Sequence, residues 1–476
     1  MMNKLILLIT LLYATVYGIA QRDVEEGDPV FNSAYKKFLN KDYTGSYLEY
    51  TNYLTRKPDD PVATYNRGLC AYELKDYKDG ITNFTKSIAL GRIKQDVYYS
   101  RGLCYYQLKK FTTAIADFDT SLTLKPDYRA YTYKGASLNE LKKYTEALAI
   151  LDLAADADPT YENAYYHRAI TKYNLKDYEG SVADCNKSLA RKTYYDTYFW
   201  RGLNYINLAR YKEAVADYDT VLIHDPKYAT AYYNRGLAYF ELKNYEKALS
   251  DNTKAIELDP SKAVAYYNRA LVKYELNKYK EAEPDFNAAI DLKLNEAKHY
   301  KWRGINYYYE DKFVQALSDL NSSIQKDNTD ETAYYYRALC KFISEDDAGA
   351  IEDCTSALTL KKTYDVYYQR GLSRYLIKNY EGALEDFNEA LNLKPGYKSA
   401  ILERGITYYV LEKDALALTD LNKAIELAPK NGRAFYYRGK LKKFMNDLAG
   451  CCADLKQAKL LGNEAADNEL SKNGCK

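Results

Sequence analysis

Proline and glycine are scarce, 10 and 22 in 476 residues, so neither a loop-rich strand-and-turn architecture nor a collagen-like chain is available. Histidine is scarcer, with 3 copies (His167, His224, His299) at unrelated places, which leaves little for metal binding or proton transfer. Neither sign of charge is in surplus: 68 basic against 66 acidic side chains leave +2, so no global field points to nucleic acid or to a polycation. No Gly-rich phosphate loop, HExxH or CxxC occurs, and the eight cysteines follow no zinc-ligand spacing. These absences leave an enzyme reading without support, and no cofactor or metal is expected. After the first twenty residues no run is apolar and long enough to span a bilayer. With 47% apolar and 28% charged residues, the remainder reads as folded and soluble.

Met1 to Ala20 reads as a secretory signal peptide. Lys4 supplies the basic start, Leu5 to Leu12 the apolar core, and Gly18-Ile19-Ala20 the small residues of a cleavage site. The competing reading is an uncleaved anchor, but the apolar stretch falls short of the ~20 residues of a membrane helix. The first cysteine is Cys70, so lipid attachment at a processed N-terminus is not available. The chain is therefore expected to be exported, to the periplasm or beyond the cell, followed by a linker over 21–27.

What the sequence has in excess is tyrosine, 55 copies, and a repeat. An Arg-Gly dipeptide or close variant recurs from Arg67-Gly68 to Arg438-Gly439 in twelve copies at intervals of 33 or 34 residues. Ser33-Ala34 begins a divergent thirteenth. Taking the Arg or Lys as anchor, the +1 residue is always Gly or Ala, and the +13 residue is always small, as at Ala114, Ala248 and Ala383. Small residues at two such places let two helices approach closely. A short break such as Lys243-Asn244-Tyr245 lies between them, and many copies end in Asp-Pro or Lys-Pro, where a helix cannot continue. Each copy is thus helix, turn, helix, turn. Neither helix can bury its apolar face alone, so the copies must stack.

The run Ala231-Tyr-Tyr-Asn-Arg-Gly-Leu-Ala-Tyr-Phe-Glu-Leu-Lys-Asn-Tyr-Glu-Lys-Ala-Leu, closing at Ala255-Ile-Glu-Leu-Asp-Pro260, resembles a tetratricopeptide repeat. The resemblance implies an all-α, right-handed solenoid of about thirteen helix-turn-helix repeats over 28–462, with a capping helix and tail over 463–476. It also implies a concave groove lined by the first helices, and a binding scaffold. Asp347 and Asp414 depart from it by replacing the turn aromatic, and Pro284 by falling inside a second helix, where it should kink or shorten it.

Five repeat slots hold 37 of the 55 tyrosines. Anchor−3, +4 and +10 are packing slots in the family pattern. Anchor−2, +2 and +5 fall on one helical stripe, which the resemblance places on the groove. The candidate ligand-binding residues are therefore Tyr99, Tyr106, Tyr166, Tyr173, Tyr233, Tyr267, Tyr274, Tyr308, Tyr335, Tyr368 and Tyr375, with Trp200 and Trp302 at the edge. The competing reading is that these rings only pack between repeats. The slots that form a Lys–Asn–Arg carboxylate clamp in some relatives carry mostly aromatics and Leu, so that clamp is not expected.

Ten repeats pair an Arg anchor with Asp at +16, which predicts a bridge between helices; an anion site is the alternative. Most cysteines read as small buried apolar residues. The exception is the tail, where Cys475 can reach Cys452 or Cys451. Cys451 fills the small slot, so the expected disulfide is Cys452–Cys475. The function expected is an exported scaffold binding a protein or peptide partner; a carbohydrate or cell-wall binder is the alternative.

Overall fold

The computed structural model describes residues 27–475, and the expected signal segment lies outside them. Among the described residues there are 27 helices and no strand. They alternate as first and second helices of thirteen repeats, from Pro29–Leu39 and Tyr43–Arg56 to Gly432–Phe444 and Leu448–Leu460, and Ala465–Lys472 follows. The chain forms two compact units, one ending at Asn244 and the other beginning at Tyr245, inside the repeat anchored by Arg235. Within each unit second helices pack against the first helices that flank them. No helix among the described residues is long and apolar enough to cross a membrane.

The turn inside each repeat is set by backbone geometry rather than by glycine. The residue at anchor+8 is left-handed in all thirteen repeats, as at Lys75 (φ 63°), Ala209 (φ 55°) and Glu345 (φ 61°). The amide after it closes the helix end; Asp76 N–H donates to Ala71 C=O at 2.8 Å. In at least six repeats the same residue then caps the second helix through its side chain, as Asp76 Oδ1 accepts from Asp79 N–H at 3.0 Å. Because caps and φ fix the turn, Asp347 and Asp414 begin their helices without a turn aromatic. The helix Tyr279–Asp291 runs through Pro284 for 13 residues, where most second helices have 14, so the proline leaves it nearly full length.

The small anchor+1 residue faces the side chain at anchor+17. A Cβ on Gly68, Gly102 or Gly371 would come within 2.7 Å of the ring of Phe84, Phe118 or Phe387. Where alanine takes that slot at Ala169 and Ala338, the +17 residue is the smaller Cys185 or Cys354; Ala270 accompanies Phe286 instead. These two thiols are buried, and burial pushes both up to about 12, so they act as packing groups. Gly371→Ala is accordingly expected to cost about 1–2 kcal/mol by overpacking Phe387, read as a lowered urea midpoint.

Most Arg anchors are three-helix clasps. Arg168 donates through Nε and Nη2 to Asp184 at 2.8 and 2.7 Å, and through Nη1 to Asp152 of the preceding repeat at 2.9 Å. Arg303, Arg337, Arg404 and Arg438 repeat this, their Nη1 groups reaching Asn287, Asn321, Asn388 and Asn422. The expected Arg–Asp bridge is present, with a further bond to the previous second helix. Lys134, whose own +16 residue is Ile150, keeps only the backward contact, to Asp119 at 2.6 Å. With their donors engaged, these guanidinium groups leave no anion site.

At the end of the chain Cys452 and Cys475 are joined, with Cα atoms 5.4 Å apart. The bond ties the tail to the last second helix while Ala466 and Leu470 cover Cys451, Leu455 and Ala458. An eight-residue helix is too short to persist alone in water, so packing and tether together hold it.

Candidate functional site

Within each compact unit, first helices of consecutive repeats pack against one another, and no comparable contact joins consecutive second helices. The first helices therefore form the closer-spaced layer, and their shared face is where the candidate residues sit. In the first unit Tyr99, Tyr106, Tyr166, Tyr173 and Tyr233 are all half-buried. In the second, Tyr274, Tyr308, Tyr335, Tyr368 and Tyr375 are half-buried, whereas Tyr267 is 8% exposed. Tyr267 lies against Phe286 and His299, so it is more core than surface.

The +5 rings have ring neighbours of two kinds. One is the turn aromatic of their own repeat: Tyr173 meets Tyr178 at 5.7 Å, Tyr274 meets Tyr279 at 5.5 Å and Tyr375 meets Tyr380 at 5.4 Å. The other is the anchor−1 aromatic of the next repeat: Tyr106 on Tyr133 at 5.6 Å, Tyr173 on Trp200 at 5.3 Å, Tyr274 on Trp302 at 5.2 Å and Tyr308 on Tyr336 at 5.4 Å. All are edge-to-face, the arrangement the ring quadrupole favours. Packing thus uses one side of each ring and leaves part of it to solvent. Burial pushes the Tyr106 and Tyr375 phenols up to about 12, so near neutral pH both are uncharged and can donate and accept hydrogen bonds.

Family models described as the tetratricopeptide repeat match residues 96–128, 229–262, 263–296 and 364–397, and one described as the TPR repeat matches 202–243. This is a tetratricopeptide repeat protein. Its all-α repeats form a solenoid of that type. Among solved structures, several chains resemble it at low identity. The one described as the APC/C hetero-tetramer Cut9-Hcn1 is 14% identical with a TM-score of 0.47, covering 91% of this chain and 99% of that one. YrrB, described as a TPR protein with an unusual peptide-binding site, is 23% identical with a TM-score of 0.36, covering 39% of this chain and 95% of its own. The C-terminal part of a TPR repeat-containing protein from Cytophaga hutchinsonii is 21% identical with a TM-score of 0.42, covering 50% and 99%. No curated protein matches the sequence.

The tetratricopeptide face has a component that the tyrosine count does not bring out, the anchor−1 slot. It holds Tyr133, Trp200, Trp302, Tyr336 and Tyr437, and in other repeats the buried Asn66, Asn234, Asn268, Gln369 and Glu403. Glu403 accepts from Arg433 of the next repeat through both carboxylate oxygens, at 2.8 and 3.2 Å. The two tryptophans mark this slot in the sequence; its mixed composition hides the rest. His167 also occupies it, against the rings of Tyr133 and Tyr166, and burial lowers its pKa to about 4. Beside Tyr166, a cavity of about 180 Å³ is lined by Asn163, Tyr194 and Asp196.

Proposed function

We propose that this tetratricopeptide repeat protein is an exported, non-catalytic scaffold that holds a protein or peptide partner against the aromatic face of its first helices. The observation that carries the reading is the partial exposure of the −2 and +5 tyrosines other than Tyr65 and Tyr267, which recur in four repeats of the first compact unit and in all six first helices of the second. Rings already fixed on one side by edge-to-face neighbours lose little further freedom on binding, and each offers a large apolar area with a polar tip. Affinity is then spread over many modest contacts. Export rests on the Met1–Ala20 segment. The carbohydrate alternative draws support from one place, the cavity beside Tyr166, where Asn163 and Asp196 supply polar groups next to an aromatic ring.

The test compares the native chain with a Tyr99→Ala, Tyr166→Ala, Tyr368→Ala variant, checked for native helicity by circular dichroism. Both are immobilised and exposed to the exported fraction of the source cells, and retained material is identified by mass spectrometry. A polypeptide retained at least tenfold more by the native chain is the expected result. Equal retention by both would remove the aromatic face from the account, and retention of glycan alone would favour the alternative.

A further inference from the structure

The anchor+6 slot lies in the last turn of each first helix. From the second repeat to the eighth it is always polar, from Glu73 to Glu275 by way of Gln and Asn. In the last five repeats it becomes Tyr309, Ile343, Leu376, Val410 and Phe444 without exception. All five lie in the second compact unit, on first helices that pack in succession. Four of them are exposed, at 42% for Tyr309, 44% for Ile343, 54% for Leu376 and 67% for Phe444, and Val410 is half-buried. Ring contacts from Tyr309 to Tyr336 and from Tyr409 to Phe444 join this edge from one repeat to the next.

A second slot changes with it. The left-handed turn residue at anchor+8 is lysine in six of the first seven repeats, but in the last five it includes Asp311, Glu345 and Glu412. From anchor+6 to +10, repeats two to seven hold five acidic and eight basic side chains, and the last five hold eight acidic and three basic. The turn does not require this. Lys, Ala, Asn, Asp and Glu all adopt its left-handed conformation here, so backbone geometry leaves the charge free. Nor does the core require the apolar stripe, since seven repeats fold with an amide or carboxylate in the same slot. An exposed apolar row of this length marks an interaction site.

We infer that this edge docks a basic amphipathic polypeptide segment, with apolar side chains on the 309–444 row and Lys or Arg against the acidic turns. The charge reversal selects the partner's sign, because complementary charge steers encounter and like charge excludes wrong partners. The inference rests on the scaffold reading above and adds to it the partner's chemistry and a second docking surface.

The test is a selection of phage-displayed random 16-residue peptides on the whole chain. Binders are re-measured against three forms: Ile343→Asn with Leu376→Asn, Glu345→Lys with Glu412→Lys, and Tyr166→Ala with Tyr368→Ala. The first two sets alter only exposed side chains, so folding is retained. The expected result is a class of peptides, net positive and with three or more apolar residues, whose affinity falls at least tenfold in both edge variants. Edge-dependent binders that are neutral or acidic would overturn the inference. Binders that depend only on the tyrosines would overturn it while leaving the scaffold reading intact. A selection yielding no binder would count against both.

Discussion

Asp184→Ala is expected to lower the stability of the first compact unit by roughly 3 kcal/mol, the range found when one partner of a buried ion pair is removed. Asp184 is 1% exposed and accepts from Arg168 twice and from Lys172 at 2.8 Å. Without it, two cations face a buried site with no carboxylate, and desolvation is no longer offset. Asp152→Ala removes the same arginine's other carboxylate, but that side chain is 52% exposed. Its loss is expected to cost under about 1 kcal/mol, as exposed pairs do. Urea unfolding followed by circular dichroism measures both. Amide exchange should show the Asp184 effect concentrated in Glu162–Asn174 and Tyr178–Leu189. Similar effects from the two variants would mean that the clasp is held by its exposed arm, contrary to this reading.

The second large effect is a pH dependence centred on His167. Burial lowers its pKa from 6.5 to about 4. A group depressed in this way is neutral in the folded chain while the unfolded chain still binds a proton, so its contribution is complete above about 6.5. It is lost progressively as pH falls toward 4. Between pH 7.5 and 5 the loss is about 2 kcal/mol, from the linkage of the two pKa values. Other groups titrate in that range, so the measurement is a difference. His167→Tyr, which places the residue found at Tyr133 and Tyr336 in the same slot, should lose about 2 kcal/mol less than the native chain over that interval. Parallel pH profiles for the two proteins would contradict the assignment.

Much of the fold is legible because the repeat states each packing rule many times. The Arg-Gly step, the small +13 residue and the +16 Asp mark where two helices meet, and the structure has helices at all thirteen places. What stayed hidden depends on neighbours rather than on slots. The acceptor fifteen or sixteen residues before the Arg is Thr85, Asp152, Asn186, Asp219 or Asn287, so no single residue type marks it and the backward arm of the clasp carries no motif. Tyr65 and Tyr99 share a slot, yet Tyr65 is fully buried, with the Arg92 guanidinium over its ring at 4.4 Å. That arginine comes from the loop between repeats, which the periodicity does not describe. Tyr267 is likewise closed over by His299 from the next repeat. A slot therefore indicates which face a side chain takes, and the adjoining repeat sets how much of it remains open.

Whether a polypeptide is held on the first-helix face is read by hydroxyl-radical footprinting of the chain with and without its captured partner. Labelling is expected to fall at the half-buried tyrosines of the first helices, Tyr99, Tyr166, Tyr335 and Tyr368 among them, while second-helix side chains such as Tyr211 and Tyr245 label as before. Protection confined to second helices, with the first-helix tyrosines labelled equally in both states, would contradict this reading.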